Sequence, residues 1–598
     1  MEALLHDTVG MIGQLGGQEL NFQMFRDTSD AQDDGDDSCQ DSDEDTEELT
    51  EGISVEQLGD GCAEENSNFL KLLRDAEEEL FPGCKTFSKL SFIIHLYHIK
   101  CLGGWTEKSF TKVLELLGRV FGEHSSWPKS SYEAKKIIKA LGLNYEKIHV
   151  CKQDCMLFWR EYASAESCHI CGTSRWVDST KKRPVKVLRY FPLVPRLQRF
   201  FILEQTANDM RWHDEGRNKD GILRHPADGE AWKSFDARYP DFSSDSRNVR
   251  LALASDGFNP FRMMSSNYSV WPVVLVPYNL PPWIGMKQHS FILSMIIPGD
   301  KGPTNDIDVF LQPLIEELKK LWEGVETYDA SKHQKFHMRA ALMWTINDFP
   351  AYAYLSGWST KGKFACPCCA ENTSSLWLYK GKKYCYMCSR RWLPEGHRFR
   401  YQKQLFDGTE EVRLPPKRAS GSDVLNQLDG LQFTFGKFMK KKGRKENRKK
   451  KRKRTKHSRI SVQESNEESS SRNDKGLIDH MKWWKKRSIF FMLPYWEHNL
   501  LRHNLDLMHI EKNVCDNLIG TFLGLDKSKD NLKARLDLVD IGIRFELHPQ
   551  ILENGKKILP PACFTLSTEQ KEILCQVVKD IKVPDGYASN ISRCTSFH

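Results

Sequence analysis

Asp256 ends the apolar run VRLALAS at 249–255 and is followed at once by Gly257. A carboxylate buried at the end of a strand costs several kcal/mol unless it is hydrogen-bonded, paired or bound to a metal. A second acid, Asp348, closes RAALMWTIND at 339–348 in the same way. It also precedes Pro350 and an apolar helical pattern, where Asp suits a helix N-cap, and the two roles are compatible. A third acid, Glu511, lies within LDLMHIEKNVCDNLIGTFLG at 505–524. At roughly 100° per residue, Leu507, Ile510, Val514, Cys515, Leu518 and Phe522 form one apolar stripe with Glu511 near its centre. Asp506, His509, Lys512, Asn513 and Asp516 fall on or beside the other face. An isolated Glu there would snorkel to solvent or pair with an Arg. With two more carboxylates at strand ends it completes a trio that can hold two divalent cations, Mg²⁺ or Mn²⁺, about 4 Å apart.

The second chemistry is thiolate. Cys151, Cys155, Cys168 and Cys171 are spaced C-x3-C-x12-C-x2-C, and Cys366, Cys369, Cys385 and Cys388 are spaced C-x2-C-x15-C-x2-C. Two close pairs across a short loop place four sulfurs tetrahedrally around zinc, so about two structural Zn²⁺ ions are expected. Cys368 and His397 are spare candidates beside the second set. His213, Asp214, His225 and Asp228 invite reading as a metal cluster, but their spacing matches no ligand pattern and they stay unassigned.

The elements that must position the acids are four strands and a helix. VRLALAS, YSVWPVVLVPYN and HSFILSMIIPG read as three strands, IDVFLQPLIEELKKLWEGV as an amphipathic helix, and RAALMWTIND as a fourth strand. The order β-β-β-α-β, with acids on strands one and four and on a later helix, is the arrangement an RNase H-like metal nuclease uses. The expected fold is therefore an α/β RNase H-like core, a mixed sheet with flanking helices. Before it stand a small helical domain and a zinc module, and a Cys-rich zinc insertion interrupts it.

The chain divides accordingly. Residues 1–67 are an acidic region read as disordered, 68–149 the helical domain, 150–185 the four-cysteine zinc module and 186–363 the first part of the core. Residues 364–436 are the Cys-rich insertion, 437–478 a basic and polar linker, and 479–598 the second part of the core with a C-terminal region. Charge follows this division. Up to Asn66 twenty Asp and Glu face Arg26 alone, whereas the remainder carries eighty-six Lys and Arg against sixty Asp and Glu. Such a basic surplus suits a polyanionic partner such as DNA. The block from Lys449 to Arg454 suits nuclear import. No apolar run reaches the roughly 18 residues of a membrane span, and MEALLHDTVGMIG has no basic segment of a secretion signal.

Several motifs in fixed order resemble one family. LALASDGFNPF, VVLVPYNLPPW, IDVFLQPLIEELKKLWEGVETYDA, TINDFPAYAYLSGWSTKGKFACPCC and RSIFFMLPYWEHNLLRHNLDLMHIEKNV are similar to plant CACTA (En/Spm-type) transposases, over most of the chain from about residue 68 onward. The resemblance implies a DDE-type cut-and-paste transposase acting on the terminal inverted repeats of its element. It makes Asp256 in SDGFNPF the first acid, Asp348 in NDFPAY the second and Glu511 in MHIEKN the third, with Asp506 in the same motif as the alternative. By analogy it implies a homo-oligomer on DNA and a second element-encoded DNA-binding protein as partners. Two departures stand out. CYMCSRR has Ser389 where the family has a His and Cys388 where it has a Gly, so the second zinc site either survives through Cys388 or is damaged. The chain also stops at NISRCTSFH, where relatives commonly continue, which suggests a truncated copy. The rival expectation is a catalytically inactive, transposase-derived DNA-binding or interaction protein.

Overall fold

The computed structural model describes residues 79–81, 83–84, 87, 89–121, 127–138, 145–181, 183–259, 268–299, 302–387, 389–429, 433–434, 437–438, 483–525 and 528–582. The acidic N-terminal region, nearly all of the basic linker, Cys388 and the last sixteen residues lie outside these.

Helices α1 (Lys89–Leu102), α2 (Glu107–Phe121) and α3 (Ser131–Ile138) come first. They pack around Ile93, Leu96, Phe110, Leu114, Trp127 and Ala134, a core separate from the main one. The sheet then begins earlier than the sequence suggests. β1 (Glu146–Val150), β2 (Leu157–Phe158) and β3 (Val187–Tyr190) are joined to it, so the last residues of the expected helical domain and the first of the expected zinc module are sheet. After α4 (Glu230–Arg238) follow β4 (Val249–Ser255), β5 (Trp271–Pro277) and β6 (Ile292–Ile297), then α5 (Ile307–Glu323). A hairpin of β7 (Val325–Asp329) and β8 (Gln334–Met338) leads into β9 (Ala340–Asn347) and α6 (Phe349–Ser356).

The insertion holds the hairpin β10 (Ser375–Leu378) and β11 (Lys383–Tyr386) and helix α7 (Gly421–Leu428). Past it come β12 (His503–Leu505), α8 (Leu507–Leu523), α9 (Leu532–Ile541) and α10 (Thr568–Lys579). The result is a mixed, eight-stranded sheet of order β12-β9-β4-β5-β6-β3-β1-β2 with flanking helices. β4, β5 and β6 run antiparallel in sequence order, while β9 and β12 lie on the other side of β4, both parallel to it.

The central strands are near-continuous apolar runs because both their faces are covered. In β9 every residue except Ile346 is buried. Ten residues of α5 are buried, Phe310, Leu314 and Leu318 among them. One residue on β9 is extra: the register with β4 slips between Leu251 and Ala252, a β-bulge at Met343. Asn499 donates to the bulge carbonyls of Leu342 and Met343, at 3.3 and 2.8 Å.

The insertion leaves and rejoins the core at one place. Ser359 N–H donates to the Trp483 carbonyl and Lys485 N–H to that of Gly357, at 2.9 and 2.8 Å. Trp358, Trp484, Val424 and Leu428 seal this junction. Gly357 has φ of 84°, and a Cβ there would lie 2.5 Å from the Lys486 carbonyl oxygen, so both the backbone and the space require Gly. Within the insertion, buried Arg390, Arg391 and Arg400 donate to backbone carbonyls; Arg400 alone reaches those of Arg390, Arg391, Leu393 and Arg413. The C-terminal part packs on the insertion: Asp537 of α9 accepts from Lys380 N and Gly381 N at the β10–β11 turn, at 2.8 and 2.9 Å.

Candidate functional site

Three aspartates close three adjacent parallel strands. Asp256 follows β4 directly, Asp348 follows β9 and Asp506 follows β12. Register aligns them: Ala254 faces Ile346 and Leu505 faces Asn347, so each acid is the first or second residue past the last pair. Asp506 N–H donates to the Asn347 carbonyl at 2.7 Å, tying the third acid to the residue before the second.

Each carboxylate is oriented by a local backbone donor. Oδ1 of Asp256 accepts from Gly257 N at 2.7 Å, Oδ1 of Asp348 from Ala351 N at 2.8 Å, and Oδ1 of Asp506 from Met508 N at 3.0 Å. The last two bonds are helix N-caps, of α6 and α8, so the capping and strand-ending roles of Asp348 coincide. Among the described residues, Oδ2 of all three accepts no hydrogen bond. Asp256 is exposed, not buried as its place at the end of an apolar run suggests, yet its carboxyl is raised above the usual range. Desolvation by its neighbours is the main cause and the negative charges of Asp348 and Asp506 add to it, while the Gly257 N–H and His509 oppose. His509 is an exposed residue of the first turn of α8.

Glu511 stands elsewhere. The stripe expected to bury it is open to solvent: Leu507, Ile510, Val514 and Leu518 are 37–65% exposed, and Cys515 and Glu511 are exposed as well. An expected burial is what singles out Glu511 in the sequence, yet on α8 only Gly520 is buried. Glu511 lies five residues past the Asp506 cap, roughly 140° around the helix from it. Position in the sheet, which a three-residue strand hardly announces in sequence, brings Asp506 to the other two acids instead.

The first cysteine set is gathered. Sγ atoms of Cys151, Cys155, Cys168 and Cys171 all lie within 4.8 Å of one another, near the about 3.8 Å edge of a tetrahedron with 2.3 Å Zn–S bonds. Cys151, Cys155 and Cys168 are buried and Cys171 is exposed. Burial raises the Cys151 thiol, whereas the Thr173 hydroxyl, 3.2 Å from the Cys171 sulfur, lowers that of Cys171. Four converging sulfurs of this kind could hold zinc, with Cys151 and Cys155 between β1 and β2 and Cys168 and Cys171 in the loop from β2 to β3. Among the described residues this is the only group of three or more potential ligands drawn so close; the three carboxylates are set wider apart.

Of the second set, Cys388 lies outside the described residues. Cys366, buried Cys369 and Cys385 of β11 do not gather as the first set does. Cys366 instead meets Cys368, whose hydrogen bond is the main cause that lowers the Cys366 thiol to about 5. His397 caps a short helix by accepting from Phe399 N. His213, Asp214, His225 and Asp228 form no metal cluster either: Asp228 pairs with Arg217, Asp214 with Lys219, and the His213 ring meets the Arg250 guanidinium.

No curated protein matches the chain. Residues 220–431 match the model of a protein family described as transposase family tnp2. The match contains Asp256, Asp348 and the second cysteine set, and ends before Asp506 and Glu511. The match spans about a third of the chain, and over it the protein is similar to the tnp2 family, the family of the plant CACTA (En/Spm-type) transposases.

Proposed function

We propose that the protein is a DDE-type transposase of a CACTA-like element with an RNase H-like core, cleaving and transferring DNA strands at terminal inverted repeats. The observation that carries this reading is the convergence of Asp256, Asp348 and Asp506 at the carboxyl ends of three neighbouring parallel strands. The topology supports it: three antiparallel strands, a helix, then two strands added beside the first and parallel to it.

The donor set fits a hard divalent cation such as Mg²⁺ or Mn²⁺, since it offers only carboxylate oxygens. Mutual repulsion contributes to the raised Asp256 carboxyl, and a cation would relieve it. Asp256, Asp348 and Asp506 would hold the metal through the Oδ2 atoms that their backbone donors leave unused. Bound there, it supplies an activated water or 3′-hydroxyl and stabilisation of the leaving oxygen. The chain's own part is to fix three carboxylates at strand ends and to present the amino ends of α6 and α8, which favour an anionic phosphate. His509, exposed in the first turn of α8, would add a polar contact beside the acids.

The set of Cys151, Cys155, Cys168 and Cys171 binds one structural Zn²⁺ in this reading, and the protein works in the nucleus on DNA as an oligomer. Incubating the full-length chain with duplexes carrying the element's terminal repeats, with and without Mg²⁺, tests it. Metal-dependent nicking at the repeat ends is expected. DNA binding with no cleavage under any divalent cation would support the non-catalytic alternative.

A further inference from the structure

One indole connects the elements that carry two of the three acids. Trp271 opens β5 and is 6% exposed. A Cβ added to Gly257, the residue after Asp256, would lie 2.5 Å from its Nε1, 2.6 Å from its Cε2 and 2.8 Å from Ser269 Oγ, the flexible end of a short side chain. A Cβ added to Gly302, in the segment before α5, would meet the same edge at 2.5 and 2.9 Å. Both contacts are far inside van der Waals range, so the five-membered edge of Trp271 lies directly on two glycine backbones. Its Nε1–H donates to Ser269 Oγ at 3.0 Å, fixing the ring's tilt. The ring also packs against Tyr354, centroids 5.6 Å apart, and Tyr354 belongs to α6, the helix that Asp348 caps.

We propose that Trp271 is a positioning residue for the metal site: wedged against Gly257 and Tyr354, it sets the distance between the Asp256 turn and the Asp348 helix. This inference rests on the acid trio being the metal site. It explains why Gly follows Asp256 although the backbone there is not left-handed: the requirement is space for the indole. Trp271 touches neither substrate nor metal in this scheme. It holds the turn from which one ligand projects, as outer contacts of metal ligands commonly do.

The test uses the full chain and Tb³⁺ as a carboxylate-seeking probe, followed by luminescence, alongside Mg²⁺-dependent cleavage. Gly257→Ala should weaken Tb³⁺ binding by about 10–100-fold. Adding Trp271→Leu, which removes the ring edge that the new methyl would meet, should return affinity to within about threefold of wild type, because contacting residues are coupled. A merely structural Trp271 would not give that rescue. The inference is overturned if Gly257→Ala binds Tb³⁺ as wild type does, or if the double variant is no better than the single. Should Gly257→Ala fail to fold, Trp271→Phe alone must weaken Tb³⁺ binding in a folded chain, and unchanged affinity overturns the inference. A wild-type chain that binds Tb³⁺ no better than Asp256→Asn overturns the metal-site reading itself.

Discussion

Replacing Lys486 by Met leaves a buried carboxylate without its cation. Lys486 and Asp308 form an ion pair whose side chains are 0% and 1% exposed. It joins the segment that returns from the insertion to the first turn of α5. Removing one partner of such a pair costs about 3–5 kcal/mol, because the other charge stays desolvated. Asp308 keeps one donor, the Ile489 N–H at 3.2 Å, which offsets roughly 1 kcal/mol. A loss of about 3 kcal/mol near neutral pH is therefore expected. Asp308→Leu combined with Lys486→Met should restore most of it, since apolar replacement of both partners is often neutral. The pH dependence has a definite sign. Burial raises the Asp308 carboxyl while Lys486 opposes. Folding favours its protonated form, so that contribution is complete below the unfolded carboxylate value and is lost as pH rises through the raised one. Without Lys486 the rise is larger, and the deficit of the variant should shrink as pH falls toward about 4. Urea unfolding of wild type, single and double variants from pH 4 to 7 measures this. A single variant within about 1 kcal/mol of wild type at pH 7, or a double no more stable than the single, would show that the pair is not held by desolvation as described.

Two further predictions concern the cysteines and the histidines. Cys151→Ser should remove one zinc per chain by metal analysis and destabilise the β1–β2 end of the sheet; unchanged zinc content would place the ion elsewhere. Burial is the main cause that lowers His213 to about 3 and His225 to about 4, so folding favours their neutral forms. Their contribution is complete above the unfolded value near 6.5 and is lost as pH falls, about 2 kcal/mol each by pH 5. Replacing His213 with Gln should flatten the melting temperature between pH 7 and 5, and an unaltered slope counts against this.

How much of the fold and the site is legible in sequence depends on what marks each element. β4 and β9 declare themselves by long apolar runs, and with them Asp256 and Asp348, because strands buried on both faces need little else. The helix at 307–323 is legible for the same reason, through its period. β12 is only three residues long and joins the sheet by pairing with β9 across the insertion, a contact that no local pattern records. Periodicity therefore puts Asp506 on the polar side of the helical pattern, and only the family resemblance keeps it as the alternative third acid. Periodicity makes Glu511 a carboxylate on an apolar stripe, but a stripe shows which residues share a face, not that anything covers it. The first cysteine set is readable from spacing, since four thiols at those intervals have few other uses. The arginines of the insertion give no such signal. Their partners are backbone carbonyls, which any sequence supplies, so Arg390, Arg391 and Arg400 look like surface charge.

Everything in the proposed chemistry turns on the third acid coming from the end of β12. Mg²⁺-dependent cleavage of terminal-repeat DNA should be compared across Asp256→Asn, Asp348→Asn, Asp506→Asn and Glu511→Gln, with DNA binding measured in parallel. Asp506→Asn should abolish cleavage as completely as Asp256→Asn and Asp348→Asn do, while Glu511→Gln keeps it and all four bind DNA. Loss of cleavage in Glu511→Gln with activity retained in Asp506→Asn would move the third acid from the strand end to the helix and rule this site out.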